Sequence, residues 1–212
     1  MRKWLEQVRK PYKKLSISKS IIISILILLL GIALGIFSKW LDNLSINDGI
    51  WWQHILGTLD LRNVFSEFGI WVVIAVCISV FSNSPLRASI NVFLFFIGMT
   101  GSYHLYTVMF SGFNPASYMK IWYTMTLITP ILAYICWYAK GKGKISLVIS
   151  AVIIAVGVIF FFSIGSWYFY FKSAINTLLF VVLLLVLYSD YKKSIISLIL
   201  AIMLAFLFRV FI

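Results

Sequence analysis

Charged residues are scarce in this sequence. Asp, Glu, Lys and Arg make up 11% of its 212 residues, whereas an ordinary soluble domain contains about 25%. The chain has two cysteines and two histidines, and Cys77 and Cys136 match no metal-binding or redox spacing. The HExxH, G-x-S-x-G, P-loop and G-x-G-x-x-G motifs are also missing from the sequence. We therefore expect neither a metal ion nor a cofactor, and the composition excludes a typical soluble enzyme.

Long apolar runs dominate what is present. Hydrophobic residues account for 62% of the chain, and several separate runs reach about 18 residues or more, which predicts transmembrane helices. A β-barrel is excluded because these runs are continuous, whereas the residues of barrel strands would alternate. The first run is too long for the apolar region of a signal peptide and has no small-residue cleavage site, so we expect it to remain as a helix.

Turn signals divide the apolar region into seven predicted transmembrane helices. Residues 1–19 form a basic N-terminal segment, and residues 20–212 form a single transmembrane bundle. The predicted fold class is therefore all-α, a polytopic integral membrane protein of about seven spans. The spans are predicted at about residues 20–38, 66–82, 89–110, 121–139, 145–164, 171–188 and 194–212.

Basic residues cluster before the first span. Seven of the 18 Lys and Arg residues lie in residues 1–19, so the positive-inside rule places the N-terminus in the cytoplasm and, with seven spans, the C-terminus outside. The net charge of +12 reflects this bias, and no nucleic-acid partner is needed to explain it. We expect a multi-pass protein of the cell (cytoplasmic) membrane, with the lipid bilayer as a partner. Trp4, Leu5 and Val8 belong either to a topology-setting tail or to an anchor in the membrane interface.

The connection between the first two spans is the one long loop that the sequence predicts. Trp51, Trp52 and Ile55 follow helical spacing there, and Asp48 stands where it can cap such a helix. The segment is too polar to span a bilayer and too aromatic for a free linker. It predicts an interfacial helix, which is either a membrane-anchored loop or a lid over an outer cavity.

Small residues recur at four-residue spacing in three spans. The pairs Gly31/Gly35, Ala151/Ala155 and Ala201/Ala205 are of the small-xxx-small type that lets helix backbones approach closely. They serve either packing inside the chain or docking of another membrane protein. The three predicted cytoplasmic turns FSNSPLRAS, YAKGKGKIS and YSDYKKS also resemble one another. This likeness predicts three stacked helical hairpins after the first helix, although the needs of any tight turn explain it equally.

Polar side chains within the spans gather toward the predicted outer side. His104, Thr100 and Thr107 share one face of the third span. Glu67 opens the second span, where the positive end of the helix dipole favours a carboxylate. A polar stripe avoids lipid, so we expect it to face a cavity inside the bundle. The alternative is an outer aromatic belt that holds a histidine at the level of the headgroups.

Other spans bring polar groups to the same depth. Tyr168, Lys172 and Asn176 have the i, i+4, i+8 spacing of one helix face on the sixth span, and Arg209 on the seventh reaches the level of His104. The predicted ligand-binding residues are Glu67, Thr100, His104, Thr107, Tyr118, Trp122, Tyr168, Lys172, Asn176 and Arg209.

Two stretches carry a resemblance to known proteins. GIALGIFSKWLD and ICWYAKGKG resemble segments of small multi-pass membrane proteins of unknown function from Gram-positive bacteria. The likeness includes no characterised catalytic motif, so it implies a membrane location and little else. The size and the outer polar residues also resemble, by architecture alone, the substrate-binding subunits of energy-coupling-factor transporters. Those subunits have six helices and small-residue motifs near the cytoplasmic end of the first helix, whereas GxxxG here lies toward the outer end.

Three functions are compatible with these patterns. The first is a binding or transport component whose outward-facing polar and aromatic cavity takes a small amphipathic or anionic ligand. The second is a non-catalytic accessory subunit that docks on another membrane protein. The third is an enzyme of the outer leaflet, in which Glu67 and His104 would need to meet as an acid/base pair.

Overall fold

A computed structural model describes the backbone of residues 2–11, 15–45, 47, 49–165 and 167–211, and the side chains of these residues except 2, 3 and 209–211. The described chain forms ten α-helices, a 3-10 turn at Tyr138–Lys140 and one β-hairpin, in which β1 (Phe162–Ile164) pairs antiparallel with β2 (Phe169–Phe171). The helices are α1 (Arg2–Val8), α2 (Ile17–Asn43), α3 (Trp51–Thr58), α4 (Leu61–Ser66), α5 (Phe68–Phe81), α6 (Pro85–Phe110), α7 (Ala116–Trp137), α8 (Gly143–Phe161), α9 (Ala174–Leu187) and α10 (Tyr191–Phe211).

The predicted helical fold is confirmed, and the length and composition of the helices are those expected of a membrane protein. Within the described residues, five helices are long and apolar enough to cross a membrane, namely α2, α6, α7 with its 3-10 turn, α8 and α10. Each of the seven predicted spans coincides with a helix, but α5 and α9 have only 14 residues. Their length of about 21 Å is less than the ~30 Å of a hydrocarbon core.

α5 and α9 begin two to three residues after the predicted starts of their spans, because α4 and the β-hairpin occupy the preceding residues. α4 ends at Ser66, and Glu67 adopts an extended conformation before α5 begins. The hairpin extends to Phe171, and the Ser173 hydroxyl then accepts a hydrogen bond from the Asn176 N–H to cap α9. The prediction that Tyr168, Lys172 and Asn176 share one helix face is therefore wrong, since the first two precede the helix.

The long loop of the sequence contains the predicted helix as α3, followed by α4. Asp60 joins the two in a left-handed conformation with φ of 52°, which Asp tolerates better than most residues. Trp52 stacks on Trp40 at the end of α2, with ring centroids 6.3 Å apart. This contact holds α3 against the bundle. Asp48, the predicted cap, lies outside the described residues.

Glycines bring α2 and α6 together as a parallel pair. A Cβ at Gly31 or Gly35 would collide with the backbone carbonyl of Phe95 or Met99, and one at Gly98 would lie 2.7 Å from the Leu28 carbonyl. α8 and α10 form a second parallel pair, in which Ala151, Ala155, Ala201 and Ala205 are all buried. The three small-residue pairs of the sequence are therefore buried where helices of the same chain meet.

The bundle contains two similar units rather than three hairpins. Each unit has a long helix, a 14-residue helix and a second long helix parallel to the first: α2, α5, α6 in one and α8, α9, α10 in the other. The third residue of α6, Arg87, donates to the Ser24 hydroxyl at 2.7 Å. The third residue of α10, Lys193, donates to the Ser146 hydroxyl at 2.5 Å. In both units a cation at the same helical position thus reaches back to the first helix.

The N-terminal segment closes one end of the bundle. The Arg9 guanidinium lies 4.1 Å from the centre of the Trp137 ring and donates to the Val80 carbonyl at 2.9 Å. The Lys142 N–H donates to the Val8 carbonyl at 2.7 Å. Leu5 and Val8 pack against the bundle, whereas Trp4 is exposed. We call this end, with turns 82–84, 138–142 and 188–190, the basic end, and the opposite end, with segments 44–67, 111–115 and 162–173, the far end.

Candidate functional site

The predicted site residues fall into two groups at the far end. Thr100, His104 and Thr107 lie on α6, beside Tyr118 and Trp122 of α7. Glu67 lies between α4 and α5, whereas Tyr168 lies in the turn of the hairpin and Lys172 directly follows β2. Asn176 is buried in the first turn of α9. Arg209 belongs to α10, but its side chain lies outside the described residues.

His104 is held by α7 and the loop that precedes it. Its Nδ1 lies 3.0 Å from the Tyr123 hydroxyl and its Nε2 lies 2.9 Å from Asn114 Oδ1. Because a carbonyl oxygen only accepts, Nε2 carries a hydrogen, and in the neutral ring Nδ1 accepts from Tyr123. His104 therefore faces another helix of the bundle, as the cavity interpretation requires, but its partners are neither Glu67 nor Lys172.

The threonines of the α6 stripe are engaged inside the helix packing. The hydroxyls of Thr100 and Thr126 lie 3.2 Å apart, and the Thr107 hydroxyl donates to the Tyr103 carbonyl at 2.8 Å. The space between these helices is a void of about 20 Å³ beside Trp122, enough for about one water molecule. Aromatic side chains fill most of the space that the sequence assigned to a polar cavity.

A charged cluster that the sequence did not predict lies next to His104. The Tyr103 hydroxyl donates to Asp42 Oδ2 at 2.6 Å. The Lys39 ammonium, on a side chain that is 7% exposed, lies 5.4 Å from the centre of the Tyr103 ring and 5.8 Å from that of Phe113. The sequence assigned Lys39 and Asp42 to a loop because the apolar run ends at Ser38. The sequence contains no proline or glycine between Ser38 and Asn43, where α2 ends, and this could have indicated that the helix continues.

Tyr168 and Lys172 of the second group line a larger space than the void beside Trp122. A pocket of about 280 Å³ lies between the hairpin and the far ends of α8 and α10. Ser163, Tyr168 and Lys172 provide its polar side. Its apolar side includes Phe162, Ile164 and Phe208. We call this space the far-end pocket, and Arg209 follows directly after one of the residues that line it.

The hairpin places Tyr168 and Lys172 in the far-end pocket. The Phe162 ring stacks on Phe169 with centroids 4.3 Å apart and also contacts its cross-strand partner Phe171, and these contacts stabilise the pairing of the two strands. The Tyr168 ring lies so close over Gly165 that a Cβ there would collide with it. The Lys172 N–H donates to the Phe161 carbonyl at 3.1 Å, which joins the end of the hairpin to α8.

The charge of the far-end pocket comes from a weak ion pair. Lys172 Nζ lies 3.5 Å from Glu67 Oε2, and about a third of each side chain is exposed (33% and 38%). This distance exceeds the ~2.7–2.9 Å of a strong charge-assisted hydrogen bond, and exposed pairs contribute little to stability. Lys172 can therefore exchange Glu67 for another anion at low cost.

The two members of the predicted acid/base pair, Glu67 and His104, have different partners. Among the described residues, no three His, Cys, Asp or Glu side chains come together as a metal site. Glu67 pairs with Lys172, whereas His104 bonds to Tyr123 and Asn114. The structure thus keeps the two members of the predicted acid/base pair with separate partners.

Comparison with known proteins provides no relative for this chain. No family model matches it, no curated protein matches it, and no solved structure matches it. The resemblances drawn from GIALGIFSKWLD and ICWYAKGKG stay predictions.

Proposed function

We propose that this chain is a binding or transport component of the cell membrane, whose far-end pocket takes a small amphipathic anion. The observation that carries the proposal is the composition of the pocket: one cation and two hydroxyls on one side, aromatic and aliphatic side chains on the other. A volume of about 280 Å³ lies at the lower limit of ordinary ligand sites, which begin near ~300 Å³. The ligand is therefore small.

Seven crossings are supported by the directions of the helices. α2 and α6 are parallel, so the chain must return between them, and α5 is the helix that makes this return. α9 makes the same return between the parallel helices α8 and α10. In this proposal α5 and α9 cross the membrane together with the non-helical segments at their far ends, whose polar groups are buried in protein or reach the interface.

The orientation follows from the distribution of charge. The basic end carries Arg9, Lys140, Lys142 and Lys193, so the positive-inside rule places it in the cytoplasm. The far-end pocket then opens to the outside, and α3 and α4 lie at the outer interface. This orientation makes the pocket a site for capture of a ligand from outside the cell.

The ligand would bind through Lys172 and the neighbouring hydroxyls. Its anionic group would replace Glu67 as the partner of Lys172, while Tyr168 and Ser163 donate hydrogen bonds and Phe162 and Phe208 contact the apolar part. A charged hydrogen bond of this kind contributes about 1.5–3 kcal/mol, which corresponds to at least about tenfold in affinity.

Titration of octanoate into the protein in lipid nanodiscs tests the proposal. We expect saturable binding that Lys172→Ala weakens by about tenfold or more, whereas Lys120→Ala, which removes an exposed lysine at the same end, leaves it unchanged. Tyr168→Phe, which removes only a hydroxyl, should weaken binding less than Lys172→Ala. Equal affinity of the wild-type protein and the Lys172→Ala variant would contradict the proposed pocket.

The accessory-subunit alternative keeps one supporting observation. The three small-residue pairs that suggested a docking surface are buried inside the chain. Trp167, however, is 98% exposed at the tip of the hairpin. An exposed Trp either anchors a membrane interface or contacts a partner. If Trp167→Ala lowers recovery of a co-purifying membrane protein while octanoate binding stays intact, the accessory role is favoured.

A further inference from the structure

A long apolar groove opens on the side of the bundle between α7 and α8. Trp71, Ala75 and Ser79 of α5 form its floor, and its walls extend along α7 from Trp122 to Cys136 and along α8 from Val148 to Val156. Its volume is about 380 Å³, and along α7 it extends for about 21 Å at 1.5 Å per residue. We call it the α7–α8 groove; none of the residues that line it belongs to the far-end pocket.

The α7–α8 groove opens between two helices that are suited to cross a membrane. Leu132 and Val152, on its two lips, are each about half exposed (55% and 48%), and both belong to helices long and apolar enough to cross a bilayer. Ala75 and Ala133 leave the space between the walls unfilled, and the lining is almost entirely apolar. An occupant of this groove is therefore a hydrocarbon chain or an apolar helix.

Two lysines near the end of the groove at the basic end distinguish between these occupants. Lys142 and Lys144 are exposed where α8 begins, one turn or more before the lip residue Val148. Glu6 and Asp190 are the acidic residues near this end, and between Glu67 and Asp190 the sequence contains no acidic residue at all. Two exposed cations beside an apolar groove complement a molecule with a hydrocarbon chain and an anionic head.

We propose that the α7–α8 groove binds one acyl chain of an anionic phospholipid, whose phosphate lies against Lys142 and Lys144. The groove is longer than half of the ~30 Å hydrocarbon core, so it accommodates an acyl chain of one leaflet. Transfer of the chain from lipid to an equally apolar groove changes its free energy little. The two lysines therefore provide most of the selectivity, about thirtyfold over a zwitterionic lipid.

Photo-crosslinking of the full-length protein tests this site. The protein is reconstituted in phosphatidylcholine nanodiscs that contain a trace of phosphatidylglycerol with a photoactivatable acyl chain, or of phosphatidylcholine with the same chain, and adducts are mapped by mass spectrometry. We expect adducts on the groove residues of α5, α7 and α8, with the phosphatidylglycerol probe favoured by about thirtyfold. Lys142→Gln with Lys144→Gln should abolish this preference, whereas Lys10→Gln with Lys192→Gln should preserve it.

Adjacent residues of α7 provide a matched control. Leu132→Trp fills the groove and should remove the adducts, whereas Ile131→Trp, at a neighbouring position that is 64% exposed and does not line the groove, should leave them. Both side chains are already exposed, so neither variant disturbs the core. The proposal is overturned by adducts spread evenly over all lipid-facing helices, by equal labelling with the two probes, by equal effects of the two Trp variants, or by a co-purifying polypeptide that shields the groove.

Discussion

At the scale of single residues, a threonine hydroxyl in α7 replaces a helical hydrogen bond that a proline removes. Pro130 lies inside the helix and has no N–H, so the Thr126 carbonyl loses its helical donor. The Thr129 hydroxyl donates to that carbonyl at 2.8 Å instead. Within a membrane such a group finds no water, and neighbouring Ser and Thr hydroxyls are its usual substitutes.

This pairing predicts a specific effect of Thr129→Val, which keeps the side-chain shape and removes the hydroxyl. An unsatisfied buried carbonyl costs about 1–3 kcal/mol, so we expect the free energy of unfolding to fall by about that amount. The measurement is unfolding of the protein in mixed micelles as the fraction of denaturing detergent rises.

Thr124→Val is the matched control for this prediction. The Thr124 hydroxyl also donates to a backbone carbonyl at 2.8 Å, that of Lys120 four residues earlier, but there the helical N–H of residue 124 is present as well. The control should therefore be nearly neutral. An equal loss of stability in both variants would show that Pro130 is compensated in another way.

At the scale of elements, close approach of the backbones decides which helices pair. Gly35 of α2 lies against the Met99 carbonyl of α6, so Gly35→Ala forces the two helices apart. Overpacking of this kind costs about 1–3 kcal/mol. We expect a corresponding loss in the free energy of unfolding in mixed micelles.

Gly101→Ala provides the comparison for Gly35→Ala on the partner helix. A Cβ at Gly101 has nothing within 4 Å, and Ala favours helix over Gly by about 1 kcal/mol. This variant should therefore be neutral or stabilising. If both alanines have the same effect, helix propensity rather than the contact between α2 and α6 controls stability at these positions.

The hairpin is the element that the sequence did not predict, because its apolar residues were assigned to the ends of two helices and the loop between them. Its strands contain only Phe, Tyr, Ser and Ile, a composition that suits an apolar helix and a strand equally. Gly165 and the aromatic ladder from Trp167 to Phe171 were the signals for a turn between strands. They determine where Lys172 lies, because a helix through this segment would have placed it with Asn176.

At the scale of the whole molecule, corresponding loops of the two long–short–long units lie at the same end: segments 44–67 and 162–173 at the far end, and turns 82–84 and 188–190 at the basic end. In the proposed orientation Ser16 lies in the cytoplasm and Asn47 lies outside. Cysteines introduced one at a time at these positions, in a variant with Cys77→Ala and Cys136→Ala, should label oppositely with an impermeant thiol reagent added to intact cells. Reaction of both from the same side would contradict the odd number of crossings between them.

The sequence by itself determined the class of this protein and the approximate position of every long helix. Runs of apolar residues are sufficient for this, because lipid leaves the backbone no partner except its own helix. The cluster of lysines and arginines before α2 also predicted which end is basic. Trp122, His104 and Lys172 were recognised as polar or aromatic residues at the end opposite the basic turns.

Only the tertiary structure decided which of these residues meet. His104 joins Tyr123 and Asn114, while Lys172 joins Glu67. The physical reason is that depth along a helix can be counted from sequence, whereas the neighbours of a helix depend on where small residues permit contact. Gly31, Gly35 and Gly98 bring α6 against α2, and Ala75 and Ala133 leave a groove unfilled. These are pairwise properties of packed surfaces, and no single stretch of the sequence contains them.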